Sequence, residues 1–207
     1  MSESVVANVL LPFGQLSSGR LVGVSEVDRG LACGCFCPQC GQPLIAKKGD
    51  ILVHHFAHQS DAECKGAVES ALHKMSKQIL ADRRQVRIPD AIAIYGTTKR
   101  WLSGPRTYVA EMARLEPSFG GIRPDVFFEG GGVPLAIEVC VTHPVPETKR
   151  QLLTAQLFDS IEIDMSRWIG CENTETLAAA VIWTAPREWL HHDGIKRALA
   201  GMQGAMA

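Results

Sequence analysis

No stretch of the 207 residues approaches the roughly 20 consecutive apolar residues needed to cross a bilayer. The opening MSESVVANVLLPFG has no basic region ahead of an apolar one, so no secretory leader is expected and the reading is of a soluble, cytoplasmic protein. Positive charge is not in excess either: 21 Lys and Arg stand against 22 Asp and Glu, for a formal charge of -1. A partner of strong negative charge must therefore be met by a local surface, since the chain as a whole is not basic. Aromatic residues are few, at 6%, and no ladder of them interleaves with cations as on a single-strand stacking platform. The cysteines are odd in number, seven, and are not spread as in a secreted disulfide scaffold.

What is present is uneven. Five of the cysteines (Cys33, Cys35, Cys37, Cys40 and Cys64) crowd one segment that also holds His55 and His58. Cys37-Pro-Gln-Cys40-Gly41 has the form of a knuckle of two thiolates, and the HHFAH run with Cys64 supplies a second pair of ligands about twenty residues on. Four-coordinate zinc needs only four ligands, for which Cys37, Cys40, His58 and Cys64 are expected, with His55 as substitute and Cys33 and Cys35 in reserve. Buried cysteines that bind nothing are the plainer alternative, but a small Gly-rich segment lacks a core of its own. A zinc deaminase is excluded because no His-x-Glu precedes the cysteine pair. A redox CxxC is disfavoured because Cys40 runs into the turn Gly41-Gln42-Pro43 rather than a helix.

Residues 1–66 thus read as strands and loops around an ion, a small zinc-binding subdomain, and residues 67–207 as the main domain. From Ala67 to Arg84 the residues Val68, Leu72, Met75, Ile79 and Leu80 recur at helical spacing. Extended segments are expected at 107–115, 123–129 and 135–142, the last two as a hairpin about Gly130-Gly131-Gly132. Then come a helix over 146–158 with Pro146 in its first turn, a strand over 160–165, helices over 173–183 and 186–201, and a fraying tail of small residues. The class is α/β (α+β): helix, three strands, helix, strand.

Three acids fall at telling points of that order: Glu69 at the start of the first helix, Asp125 on the second strand and Glu138 on the third. The hairpin can set Asp125 beside Glu138, and two carboxylates at that range repel unless a proton or cation lies between them. A hard divalent ion such as magnesium or manganese, keeping several waters, suits such a site and a phosphate substrate. The plainer readings are an Asp125–Arg123 pair and a buried salt bridge at Glu138. Pro89-Asp90 with Glu111 offers a chance copy of the same spacing. Cations gather nearby in His73, Lys74, Lys77, Arg83, Arg84, Arg87, Lys99, Arg100 and Arg106, either a nucleic-acid stripe or solvated faces. Trp101 and Tyr108 are available for stacking but serve equally as packing residues.

The segments CPQC, HHFAH, VESALHKMSK, IRPDV and AIEVCVTH, in this order between Cys37 and about Met165, resemble the competence protein CoiA-like nucleases of the PD-(D/E)xK superfamily. The resemblance implies a restriction-endonuclease-like core and hydrolysis of phosphodiester bonds in DNA, with RNA not excluded. It also implies that Asp125 and Glu138 bind the catalytic metal, that Glu69 supports it, and that the zinc is structural. The superfamily places a lysine two residues after the motif glutamate, whereas this chain has Cys140. Lys149 or Lys77 can stand in, or each is a solvated charge and the chain is an inactive nuclease fold that grips DNA or a protein partner. Enzymes that cut both strands often pair as homodimers.

Overall fold

The computed structural model describes residues 10–60 and 64–204. Residues 1–9, 61–63 and 205–207, which include most of the opening segment and the end of the small-residue tail, lie outside that description. Among the described residues no helix is long and apolar enough to cross a membrane.

The first part is built from two short hairpins. β1 (Phe13–Gln15) pairs antiparallel with β2 (Leu21–Gly23), and β3 (Leu44–Lys47) with β4 (His55–His58). Phe13, Leu44 and Phe56 are fully buried between them. The segment is not held by an ion alone: these residues join one continuous apolar cluster with the helix that follows.

That helix, α1 (Ala67–Arg83), begins after Gly66 at φ 82 and ends at Arg84, itself left-handed at φ 50. Leu72, Met75, Ile79 and Leu80 are buried as their spacing requires, and so, unexpectedly, is Lys77. Next comes an element the periodicity did not suggest. β5 (Gln85–Ile88) pairs with β8 (Arg106–Val109), and between them β6 (Ala91–Tyr95) pairs with β7 (Thr98–Ser103), making one long hairpin bent at Pro89-Asp90 and Gly104-Pro105.

The single strand expected over 107–115 is two strands, because the chain changes partner at Ala110 and Glu111. The Ala110 N–H donates to the Arg84 carbonyl at 2.8 Å and the Glu111 N–H to the Glu129 carbonyl at 2.9 Å. Gly131 packs into the bend so closely that a Cβ there would lie 2.2 Å from the Val109 carbonyl oxygen. β9 (Met112–Leu115), β10 (Val126–Glu129) and β11 (Leu135–Cys140) then run antiparallel in sequence order, with Val126 opposite Ile137. After α2 (Glu147–Thr154), shorter than the expected 146–158 and with Pro146 at its N-cap, β12 (Asp159–Asp164) lies parallel to β11. α3 (Thr174–Ala179) is capped by the Asn173 side chain and widens into a π-helical turn over Ala180–Thr184.

The helix expected over 186–201 is instead β13 (Arg187–His191) followed by α4 (Asp193–Gly204). The strand wins because the edge of β12 is open to it, and because the Arg187 guanidinium serves a non-helical purpose. It donates to the carbonyls of Ala180, Ile182 and Ala185, in and just after the π turn. The sheet order is β13-β12-β11-β10-β9. Alternation along β10 and β11 sends Val126, Phe128, Leu135 and Ile137 to the α1 face, and Phe127 and Ala136 to the α2 face with Leu153 and Phe158. Helix, three strands, helix and strand thus form a three-layer core, with the long hairpin and β13 as additions.

Candidate metal centres

Cys37, Cys40, His58 and Cys64 converge, their ligand atoms all within 4.8 Å of one another. Tetrahedral zinc with Zn–S of about 2.3 Å and Zn–N of about 2.0 Å sets sulfurs about 3.8 Å apart and sulfur to nitrogen about 3.5 Å. Cys37 Sγ and Cys64 Sγ are 3.9 Å apart, and Cys40 Sγ lies 3.3 Å from His58 Nε2. The knuckle closes through the Gly41 N–H on the Cys37 carbonyl at 2.9 Å, with Gly41 at φ 72, a conformation that favours glycine. Burial and the neighbouring Cys40 and Cys37 thiols push Cys64 up to about 12, so charge on this sulfur needs a cation beside it. The donor set fits a metal such as zinc.

The substitutes fall away. His55 Nδ1 donates to the Val53 carbonyl at 2.8 Å, and Cys33 and Cys35 are buried, bonded to the carbonyls of Leu44 and Cys33. The knuckle also grips α1: Lys74 Nζ donates to the Pro38 carbonyl, and the Ser70 hydroxyl to the Gln39 side chain.

Asp125 sits at a bend just before β10 rather than on it, and Glu138 near the end of β11. Asp125 does not pair with Arg123, which binds Glu116 instead. Asp125 Oδ2 accepts from the Val139 N–H at 2.9 Å and lies 3.0 Å from His73 Nε2, while Lys77 Nζ is 3.3 Å from Oδ1. Burial works against its charge, but the His73 hydrogen bond, the Val139 N–H and the Lys77 ammonium outweigh it and hold the carboxyl near about 2. Glu138 is the opposite case. Burial and the adjacent Asp125 charge raise it to about 7, against the pull of Lys149, whose Nζ is 2.7 Å from Oε2. Its other oxygen, Oε1, is buried with no hydrogen-bond partner among the described residues, the kind of orphan that a bound cation would satisfy.

Glu69 stands at the third position of α1, where the Thr142 hydroxyl donates to it. Together with Gln39, Ser70, His73, Val139 and His143 it bounds a cavity of about 330 Å³. A larger cavity of about 940 Å³ lies along the other end of α1 and contains none of these carboxylates; four of its charges pair as Arg20–Asp82 and Arg83–Glu175. The chance copy, Asp90 and Glu111, is not brought together: Asp90 marks the hairpin bend, and Glu111 packs at Gly130.

Three participants escaped the sequence. Glu116, at φ 48, binds Lys77 and Arg123, so the buried lysine is shared between Glu116 and Asp125. Glu162 and Glu188 stand in register beside Glu138 across β11, β12 and β13. α2 neutralises this row through Lys149 on Glu138 and Arg150 on Glu188 at 2.8 Å, while the Val145 N–H donates to Glu162 at 2.6 Å. Strand registers were needed to see it. Cys140 faces Glu162 and Asp164; burial and those charges raise its thiol to about 11, so at neutral pH it contributes no charge.

Of the cations expected to form a stripe, His73, Lys74, Lys77, Arg83 and Arg84 are engaged by the protein itself. Arg87, Lys99, Arg100 and Arg106 are exposed. Tyr108 is buried and Trp101 is not.

No curated protein and no solved structure matches the chain. Residues 30–67, the span that contains all four convergent metal ligands, match the family model described as competence protein CoiA, N-terminal domain.

Proposed function

We propose that this chain is a divalent-metal-dependent nuclease of the PD-(D/E)xK type, hydrolysing phosphodiester bonds in DNA, with a structural zinc. The observation that carries the reading is the meeting of Asp125 and Glu138 at one end of the β10–β11 hairpin, with the orphaned Glu138 Oε1 between protein layers. Glu69, Asp125 and Glu138 would hold magnesium or manganese, which when bound lowers the pKa of water and offsets charge on the phosphate. The chain's own part is positioning. The Val139 N–H and His73 fix Asp125, and Lys149 on Glu138 supplies the positive charge that Cys140 lacks.

A second reading is a nuclease fold that binds DNA without cutting it. It is favoured by one observation: both carboxylates already have lysine partners, and Lys149 also serves the glutamate row. Cleavage of labelled DNA and RNA with magnesium or manganese, comparing the native protein with Asp125→Ala and Glu138→Ala, decides between them. Metal-dependent cutting lost in both folded variants supports the nuclease; retention of DNA with no cutting by the native protein supports the binding module.

A further inference from the structure

The long hairpin over residues 85–109 belongs neither to the zinc site nor to the carboxylate site. It leaves the body at the far end of α1, fourteen residues from Glu69, or about 21 Å along the helix at 1.5 Å per residue. Its tip is a two-residue turn with Gly96 at φ 58 in first place, the glycine-first turn that suits strand twist. One face is covered: Ala91 and Ala93 are fully buried against α4. The other is bare, with Ile94 56% and Trp101 62% exposed.

Charge is segregated onto this element. Residues 85–109 contain Arg87, Lys99, Arg100 and Arg106 against Asp90 alone, 4 − 1 = +3, so the remainder of the chain carries −1 − 3 = −4. Among the described residues none of those four side chains makes an ion pair. Elsewhere most surface arginines do, as Arg83, Arg114, Arg123 and Arg150 show. A bare indole with one unpaired cation, Lys99, two residues before it on the same face, and a second, Arg100, between them on the opposite face of the β7 edge strand, has two complementary needs, a flat π surface and a chain of negative charges. An unpaired nucleic-acid strand offers both.

We propose that the β6–β7 hairpin is a nucleic-acid-binding arm, on which Trp101 stacks against an unpaired base while Lys99 and Arg100 meet the flanking phosphates. It goes beyond the nuclease reading and does not require that the carboxylate site cut anything. If that site does cut, the arm holds the strand away from it, beyond the far end of α1.

The test is fluorescence anisotropy of a labelled single-stranded oligothymidylate, and of a blunt duplex, without added magnesium or manganese, so that a protein incapable of cleavage still reports. Trp101→Ala is expected to weaken single-strand binding by about tenfold, with Trp101→Phe restoring most of it. Lys99→Ala with Arg100→Ala should lower the slope of log K against log salt by about 1.4, at about 0.7 per phosphate contact. Tighter binding of the single strand than of the duplex is expected. Variants that bind as the native protein does, or preference for the duplex with no effect of Trp101, overturn the proposal. So does a loss of self-association in Trp101→Ala by light scattering with oligonucleotide binding unchanged, which would assign the bare face to a second copy of the chain. All substituted positions are exposed, and thermal melting checks that the variants fold.

Discussion

Replacing Glu138 with glutamine should make the protein more stable while removing the proposed activity. Glu138 is raised to about 7 in the fold from an ordinary 4.5, through burial and the Asp125 charge. An acid whose pKa rises on folding holds its proton more tightly in the native state. Stability is therefore complete below the unfolded value, falls as the pH climbs through 4.5 to about 7, and stays low above it. At about 1.4 kcal/mol per pH unit the whole loss is about 3 kcal/mol, of which about 2 kcal/mol falls between pH 5.5 and 8. Glutamine cannot ionise and keeps the shape, so Glu138→Gln escapes this loss, less a small amount for Lys149, which is 28% exposed and can turn to water. For a chain of this size about 2 kcal/mol corresponds to roughly 4 to 8 °C in Tm. Thermal melts of both proteins at pH 5.5 and 8, without magnesium and then with it, read the effect directly. The difference in Tm should open toward alkaline pH, and magnesium should narrow it by stabilising only the native protein. A variant equally destabilised at both pH values, with no response of either protein to magnesium, refutes the reasoning.

Zinc analysis should find one ion per chain, reduced by Cys37→Ser or Cys64→Ser and unchanged by His55→Ala; Cys33→Ala and Cys35→Ala should keep the metal and lose only core stability. Stripping the zinc should unfold the first part of the chain, since structural zinc is worth about 10 to 16 kcal/mol, comparable with the whole stability of a domain. Gly131→Ala should lower stability by about 3 kcal/mol or more in a denaturant melt, because its Cβ meets backbone oxygen 2.2 Å away and the strand partner change at Ala110 leaves no room to yield. Lys149→Ala should reduce cleavage and Lys149→Arg restore part of it if charge on Glu138 is what matters; a fall in Tm with unchanged cleavage would make Lys149 part of the glutamate row only.

Where periodicity and packing agreed, the sequence was readable. α1 and β11 announce themselves because one stripe or one continuous apolar run faces a core, and the knuckle because ligand spacing is a local property. The 85–109 hairpin does carry a local signal in the alternation of AIAIY, Gly96-Thr97 and TKRWL, but its cations mask the pleat. The 186–201 segment failed for a different reason. Trp189, Leu190 and His191 suit a helix face as well as a strand, and only the open edge of β12 and the carbonyls that Arg187 satisfies decide the matter. Glu116 was invisible because its part depends on a left-handed backbone and on Lys77 being buried, neither of which spacing can express.

The two metal centres should not be independent. Cys64 lies three residues before α1, and the knuckle holds the first turns of that helix through Ser70 and Lys74. Glu69 and His73 are on those same turns, and His73 fixes Asp125. Whatever holds the knuckle therefore also sets the helix phase at which Glu69 and His73 meet the β10–β11 hairpin. A variant that weakens zinc without abolishing it, such as His58→Asp, should then raise the magnesium concentration needed for half-maximal cleavage, although no zinc ligand lines the Glu69 cavity. Separating the two by Ser70→Ala with Lys74→Met tests the coupling path: zinc content should be unchanged while the magnesium requirement rises. If the requirement stays constant in both variants, the knuckle holds only itself, and Glu69 owes its position to the apolar face of α1 alone.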